Sequence, residues 1–234
     1  MRTMLASLGI LAISIASVSA QSGERKTMNV AIFVFEGVEI LDFGGPAEVF
    51  ESTAAHVGDE DVTPFNVYTV AALPGAVISQ RFITIVPQYT IENCPKPDII
   101  VLPGGSTGSS VDNPKVIAWT QAAAKDSAIL MSVCTGAFIL AKAGLLDGRE
   151  ATTWYGKVED LKKAAPKTKI HAGTRYVDNG QIITTAGVSA GIDGALHLVS
   201  RLYGEDAALG TAKYMEYDKW VPNQGLVVGS ASAP

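Results

Sequence analysis

Two cysteines, three histidines, and charged side chains making up only 18% of 234 residues leave this chain little of several things. With so few histidines, none paired at ligand spacing, the sequence offers no structural or catalytic metal site. The lysines and arginines nowhere cluster, and the formal net charge is -5, which excludes a nucleic-acid or anionic-membrane surface. No apolar run reaches the roughly 20 residues that a membrane span needs. The glycine-rich stretch PGGSTG, Pro103 to Gly108, matches neither a phosphate loop nor a dinucleotide fingerprint, so no nucleotide and no other cofactor is implied.

What is present is a secretory leader followed by one domain. Arg2, the apolar Leu5 to Ile15 and the small residues Val18-Ser19-Ala20 have the form of a cleavable signal peptide, residues 1–20, and predict a secreted or periplasmic protein with no membrane association once it is removed. The remaining length suits a single domain with a sizeable core. Apolar strands are expected at Met28 to Phe35, Phe65 to Ala71, Phe82 to Val86, Asp98 to Leu102, Ala128 to Val133 and Gln181 to Thr185. Helices are expected at Pro46 to Ala55, Asn113 to Lys125, Thr135 to Leu145, Tyr155 to Ala164, Ser189 to Tyr203 and Glu205 to Tyr217, with a loose tail from Val221. Apolar strands alternating with helices imply a single α/β domain, a three-layer sandwich with a mostly parallel sheet between helices.

Ligands of such sheets bind beyond the carboxyl ends of the strands. Three turns leave strands in that direction: Glu36 to Gly45, Pro103 to Gly108, and Cys134 to Gly136. Cys134 stands where a buried strand becomes a helix, the place of the serine in a nucleophile elbow, where free amides favour a thiolate and can hold an oxyanion. Its bland alternative is a small core residue. Thr135 can hydrogen-bond a ligand, and Gly136 lets one approach the backbone. Gly104 and Gly105 offer a further oxyanion amide. Asp42 reads alone as a helix cap or turn closer; on the same edge as Cys134 it becomes a proton shuttle, with Glu36 and Glu39 as nearby competitors. Cys94 precedes its strand whereas Cys134 follows its own, so the two sulfurs fall at opposite ends of a layer about 15 Å deep, and no disulfide is expected. His56 at a helix end, His171 in a loop and His197 on an apolar helix face read as core or surface residues.

Five segments in order, IFVFEGVEILDFGGPAEVF, DIIVLPGG, SVCTGAFILAKAGLLDGREATT, TTAGVSAGIDGALHLVSRLYG and YMEYD, resemble the ThiJ/PfpI superfamily, from about Met28 to Pro222, and most of all its isocyanide hydratase branch and the amidase-like domain of certain transcription regulators. The resemblance implies the flavodoxin-like, class I glutamine amidotransferase-like fold and a homodimer. It makes Cys134 the nucleophile, Asp42 its acid/base partner and Thr135 a hydrogen-bonding neighbour, with oxyanion amides from Gly105 and Thr135. It also implies a cysteine-dependent hydratase or hydrolase that adds water to a small electrophile. Many relatives carry histidine directly after the ATT at Ala151-Thr152-Thr153; Trp154 here weakens a Cys-His dyad and is expected to wall the pocket or join the core. Asp193 is expected to serve the start of its helix. A protein of another class, a non-catalytic redox sensor or small-ligand binder with an oxidisable Cys134, is the alternative.

Overall fold

The computed structural model describes residues 27–57, 60–126 and 128–229; the expected leader and the last five residues of the tail lie outside the described residues. In chain order the elements are β1 (Met28–Phe33), α1 (Ile40–Glu51), β2 (Ala55–Val57), β3 (Glu60–Val62), β4 (Phe65–Ala71), β5 (Val77–Ser79), β6 (Ile83–Ile85), β7 (Tyr89–Thr90) and β8 (Ile99–Leu102). There follow α2 (Gly108–Val111), α3 (Pro114–Lys125), β9 (Ile129–Val133), α4 (Ala137–Lys142), β10 (Glu150–Ala151), α5 (Val158–Ala164) and β11 (Lys169–Ile170). The chain ends with β12 (Tyr176–Asp178), β13 (Ile182–Thr185), α6 (Ala190–Tyr203), α7 (Glu205–Tyr214) and β14 (Leu226–Val227). Among the described residues no helix is long and apolar enough to cross a membrane.

Eight strands form one sheet in the order β14-β12-β13-β9-β8-β1-β4-β7. The six from β13 to β7 run parallel, and β12 turns back antiparallel to β13. The inner strands are apolar throughout because helices cover both faces: β8 is Ile-Ile-Val-Leu with all four side chains buried. Helix α1 packs on α6 and α6 on α7 over one face, while α3, α4 and α5 follow one another on the other. The α1–α6 contact is close because Gly45 lacks a Cβ, which would lie 2.8 Å from Ile192 Cγ1. This is the α/β sandwich that the alternating pattern implied. Strand order reverses between β1 and β8, with β4 to one side and β9 to the other, so the carboxyl ends of β1, β8 and β9 surround the crevice.

Several expectations need correction. The first helix begins at Ile40, not Pro46, and ends at Glu51, so Pro46 lies inside it and Asp42 in its first turn. A proline there leaves the carbonyl four residues earlier, that of Asp42, without its helical partner. His56 is consequently not at a helix end but in β2. The strand expected at Phe82 to Val86 is not part of the large sheet. Gln80 and Arg81 both adopt left-handed φ, 44° and 68°, and fold β5 against β6 as a separate hairpin. The segment after Val221 is not wholly loose, because Leu226–Val227 pair with β12 as the sheet's last strand. The helix expected from Thr135 opens with a 3₁₀ turn, Cys134–Gly136, and its α-helical part stops at Lys142.

Candidate active site

The three carboxyl-end turns are tied directly to one another. Val38 bridges Gly105, and the Glu39 N–H donates to the Gly104 carbonyl at 3.0 Å, joining the β1 and β8 turns. The β8 and β9 turns meet at Thr135, whose Oγ1 accepts from the Gly105 N–H at 3.0 Å and donates to the Gly105 carbonyl at 3.2 Å. Asp42 is fully buried. Its Oδ2 accepts from the Gly104 N–H at 2.9 Å, and its Oδ1 from the Val188 N–H at 3.1 Å.

Cys134 is the first residue after β9 and has φ 57°, a left-handed conformation that non-glycine residues seldom take. That bend is the elbow expected from the strand-to-helix join. It is fixed on both sides: the Cys134 N–H donates to the Ala186 carbonyl at 3.0 Å, and Thr153 Oγ1 donates to the Cys134 carbonyl at 2.7 Å. Gly136 makes the turn possible. A Cβ there would lie 1.9 Å from the Leu102 carbonyl oxygen, so β8 itself occupies the space expected to admit a ligand.

Sulfur and carboxyl group face each other as hydrogen-bond partners. Burial, joined by the charge of Asp42, pushes the Cys134 thiol up to about 12, against the opposing pull of the Thr135 N–H. Burial also raises Asp42 to about 6, although the Gly104 and Val188 amides favour its ionised form. The expected free thiolate is therefore corrected. At neutral pH the pair rests as thiol and carboxylate, because a side chain only 7% exposed beside a negative group loses more from desolvation than a three-residue 3₁₀ turn returns.

The amides also differ from expectation. The Gly104 N–H is held by Asp42, and that of Gly105 by Thr135 Oγ1, so neither is free for an oxyanion in this arrangement. The Thr135 N–H is directed at the Cys134 sulfur. A Cβ on Gly104 would come within 2.7 Å of Asp42 Oδ2, Thr135 N and Thr135 Oγ1, which makes that glycine the packing partner of the whole pair. Trp154 does not line the large cavity beside the turn; its indole fills the space above Gly156 and Gly187, next to Val188. Glu36 is committed to the hairpin, its Oε2 accepting the Ile78 N–H at 2.8 Å, and Glu39 acts on Asp42 only through its charge.

Both cysteines are free, as their placement at opposite ends of the sheet layer required. Away from this edge the polar residues serve the fold. Asp193 binds Arg175 through an ion pair and accepts from Tyr217 Oη at 3.1 Å, tying α6 to the loop before β12. His171 pairs with Glu150, and buried His197 meets Asp178 at 2.8 Å while Arg201 holds the same carboxylate. No cluster of metal-ligating side chains occurs among the described residues. Two contributors escaped the sequence reading. Val188 carries no sequence signal, since a β-branched residue is the least expected at its φ of 55°. Thr153 stood within a quoted motif but had been given no role.

Comparison with known proteins agrees with this geometry. Residues 28–201 match the model of the DJ-1/PfpI family. An isonitrile hydratase of Pseudomonas putida is 30% identical over 194 residues, covering 81% of this chain and 78% of that one. The transcriptional regulator CdhR of Pseudomonas aeruginosa is 25% identical, over 67% of this chain and 46% of its own length. Among solved structures, a ThiJ/PfpI family protein from Pseudomonas syringae superimposes with a TM-score of 0.73 at 26% identity, covering 91% of this chain and 84% of that chain. With a sheet, an elbow cysteine and a matched span of this extent, the chain belongs to the DJ-1/PfpI family.

Proposed function

We propose that this protein is an exported, cysteine-dependent enzyme that adds water to a small electrophile, in the manner of an isonitrile hydratase. The observation that carries the reading is the buried Cys134–Asp42 pair, an elbow thiol beside a carboxylate that two backbone amides align. Its resting form, thiol beside carboxylate, is that of a nucleophile with its own general base. The similarity to an isonitrile hydratase supplies the substrate class.

As the sulfur bonds to the terminal carbon of R–NC, Asp42 takes the thiol proton and delivers it to that carbon, giving the thioimidate R–N=CH–S. Water then adds to the same carbon, one of its protons passing through Asp42 to the nitrogen, which gives R–NH–CH(OH)–S; the remaining hydroxyl proton is the one that Asp42 returns to the sulfur. The C–S bond breaks, the thiol recovers its proton, and R–NH–CHO leaves, so that R–NC and H₂O are consumed one for one. Thr135, whose hydroxyl accepts from the Gly105 N–H and donates to the Gly105 carbonyl, keeps the β8 turn against the elbow throughout. The redox-sensor alternative is less favoured by the same chemistry, since a protonated and buried thiol is a slow target for peroxide.

Incubation with a small isocyanide followed by rapid acid quench and mass spectrometry is expected to show one adduct, on Cys134 and not Cys94. Cys134→Ala is expected to lose both adduct and formamide. Full turnover by that variant would overturn the reading.

A further inference from the structure

Beside the Cys134 turn lies a cavity of about 670 Å³. Cys134 does not itself line it; Gly105 and Thr135, the residue that follows Cys134, form its end toward the elbow, Phe138 of α4 adds an aromatic wall, and Ser106 and Ser109 contribute hydroxyls. Lys157, from the 3₁₀ turn Tyr155–Lys157 ahead of α5, also reaches it. Its Nζ donates to Asp160 Oδ2 at 2.7 Å, a pair in which both side chains are nearly half exposed. Such a pair contributes little by itself and yields readily to a competing partner. An ammonium carries three N–H donors; Asp160 uses one, and two remain for a ligand. Asp160 and Lys157 match each other's charge, so a substrate carboxylate competes with Asp160 for the ammonium. The carboxylate of Glu36, on the β1 turn, is held by the hairpin amide of Ile78.

Resting on the hydratase reading above, we infer that Lys157 determines specificity by binding a carboxylate at the non-reacting end of the substrate, so that the preferred substrates are small isocyano acids. The isocyano carbon lies at the Thr135 end, the apolar body against Phe138, and the carboxylate between Lys157 and the serine hydroxyls. Asp160 holds the ammonium in place from one helical turn onward and gives up part of its contact when the substrate enters.

The test compares ligands that differ only in charge. In calorimetric titration of the intact protein, N-formylglycine, the product of isocyanoacetate hydration, is expected to bind at least tenfold more tightly than its methyl ester. Lys157→Met is expected to remove that preference while leaving the ester unchanged, and Asp160→Asn to keep or sharpen it. With isocyanoacetate and its methyl ester as substrates, Lys157→Met is expected to raise KM for the acid about tenfold with kcat unchanged. Equal binding of acid and ester, binding of neither, or a preference that survives Lys157→Met would overturn the inference. If the acid preference follows Lys157 but neither isocyanide is hydrated, the carboxylate subsite stands and the hydratase reading fails.

Discussion

The Val188 backbone N–H donates to Asp42 Oδ1 at 3.1 Å across 146 residues of sequence, and Val188 adopts φ 55° to do so. This contact joins the loop before α6 to the first turn of α1. Together with the Gly104 amide it aims the carboxylate at Cys134. A β-branched residue in the left-handed region stores strain of about 1–3 kcal/mol. The fold tolerates it where it serves the Asp42 carboxylate.

Val188→Gly is therefore expected to stabilise the protein. Glycine keeps the N–H and accepts the left-handed conformation, at an entropic cost of about 0.5–1 kcal/mol in the unfolded chain. The valine side chain is 37% exposed, so little burial is lost. The net gain should be about 1 kcal/mol, read as a higher urea midpoint with unchanged slope. Destabilisation by a similar amount would mean that the valine is packed, not strained.

Hydratase activity should depend on Asp42 being ionised. With its carboxyl raised to about 6, kcat/KM should climb as pH increases through about 6 and level off above it. Asp42→Asn should lower kcat by about 10²–10⁴-fold and abolish that limb. A limb well below 6 would mean that the base is not Asp42.

Much of this was legible because local pattern and tertiary context agree. Phe65 to Ala71 keeps its expected bounds as β4, and Asn113 caps α3 by accepting the Lys115 N–H at 3.0 Å. The edge shared by Asp42, Gly104 and Cys134 followed from strand direction alone. What stayed hidden depends on contacts distant in sequence. Three-residue β12 has too little periodicity to signal a strand, and it forms because β13 lies beside it. The Phe82 to Val86 segment has strand composition, yet its pairing is set by the left-handed residues at the hairpin tip. The thiol's protonation is not legible in sequence, because the adjoining amides are visible there whereas the depth of burial beside Asp42 is not.

Stability should carry the same titration with the opposite sense. Folding raises Asp42 from an ordinary 3.8 to about 6, so the folded state favours its protonated form. Its stabilising contribution is complete below about pH 4 and is lost as pH rises through 6. The gap corresponds to about 3 kcal/mol. Unfolding free energies of wild type and Asp42→Asn, measured from pH 4 to 8, should diverge by about that amount in favour of the asparagine variant. A constant difference across the range would show that the two amides fully compensate the buried charge.

Two glycines should separate folding from chemistry. Gly136→Ala places a methyl 1.9 Å from the Leu102 carbonyl oxygen, backbone that cannot step aside without breaking the β8–β9 pairing. Its cost should be several kcal/mol, seen as a large drop in the urea midpoint or loss of soluble protein. Gly104→Ala instead meets Asp42 Oδ2 and the Thr135 hydroxyl, side-chain atoms able to rotate, along with the Thr135 amide. Relief there turns the carboxylate away from the sulfur. This variant should lose only about 1–3 kcal/mol of stability but at least about a hundredfold in kcat, since a small misplacement of reacting groups suffices for that. Equal activity per folded molecule in Gly104→Ala and wild type would remove Asp42 from the reaction.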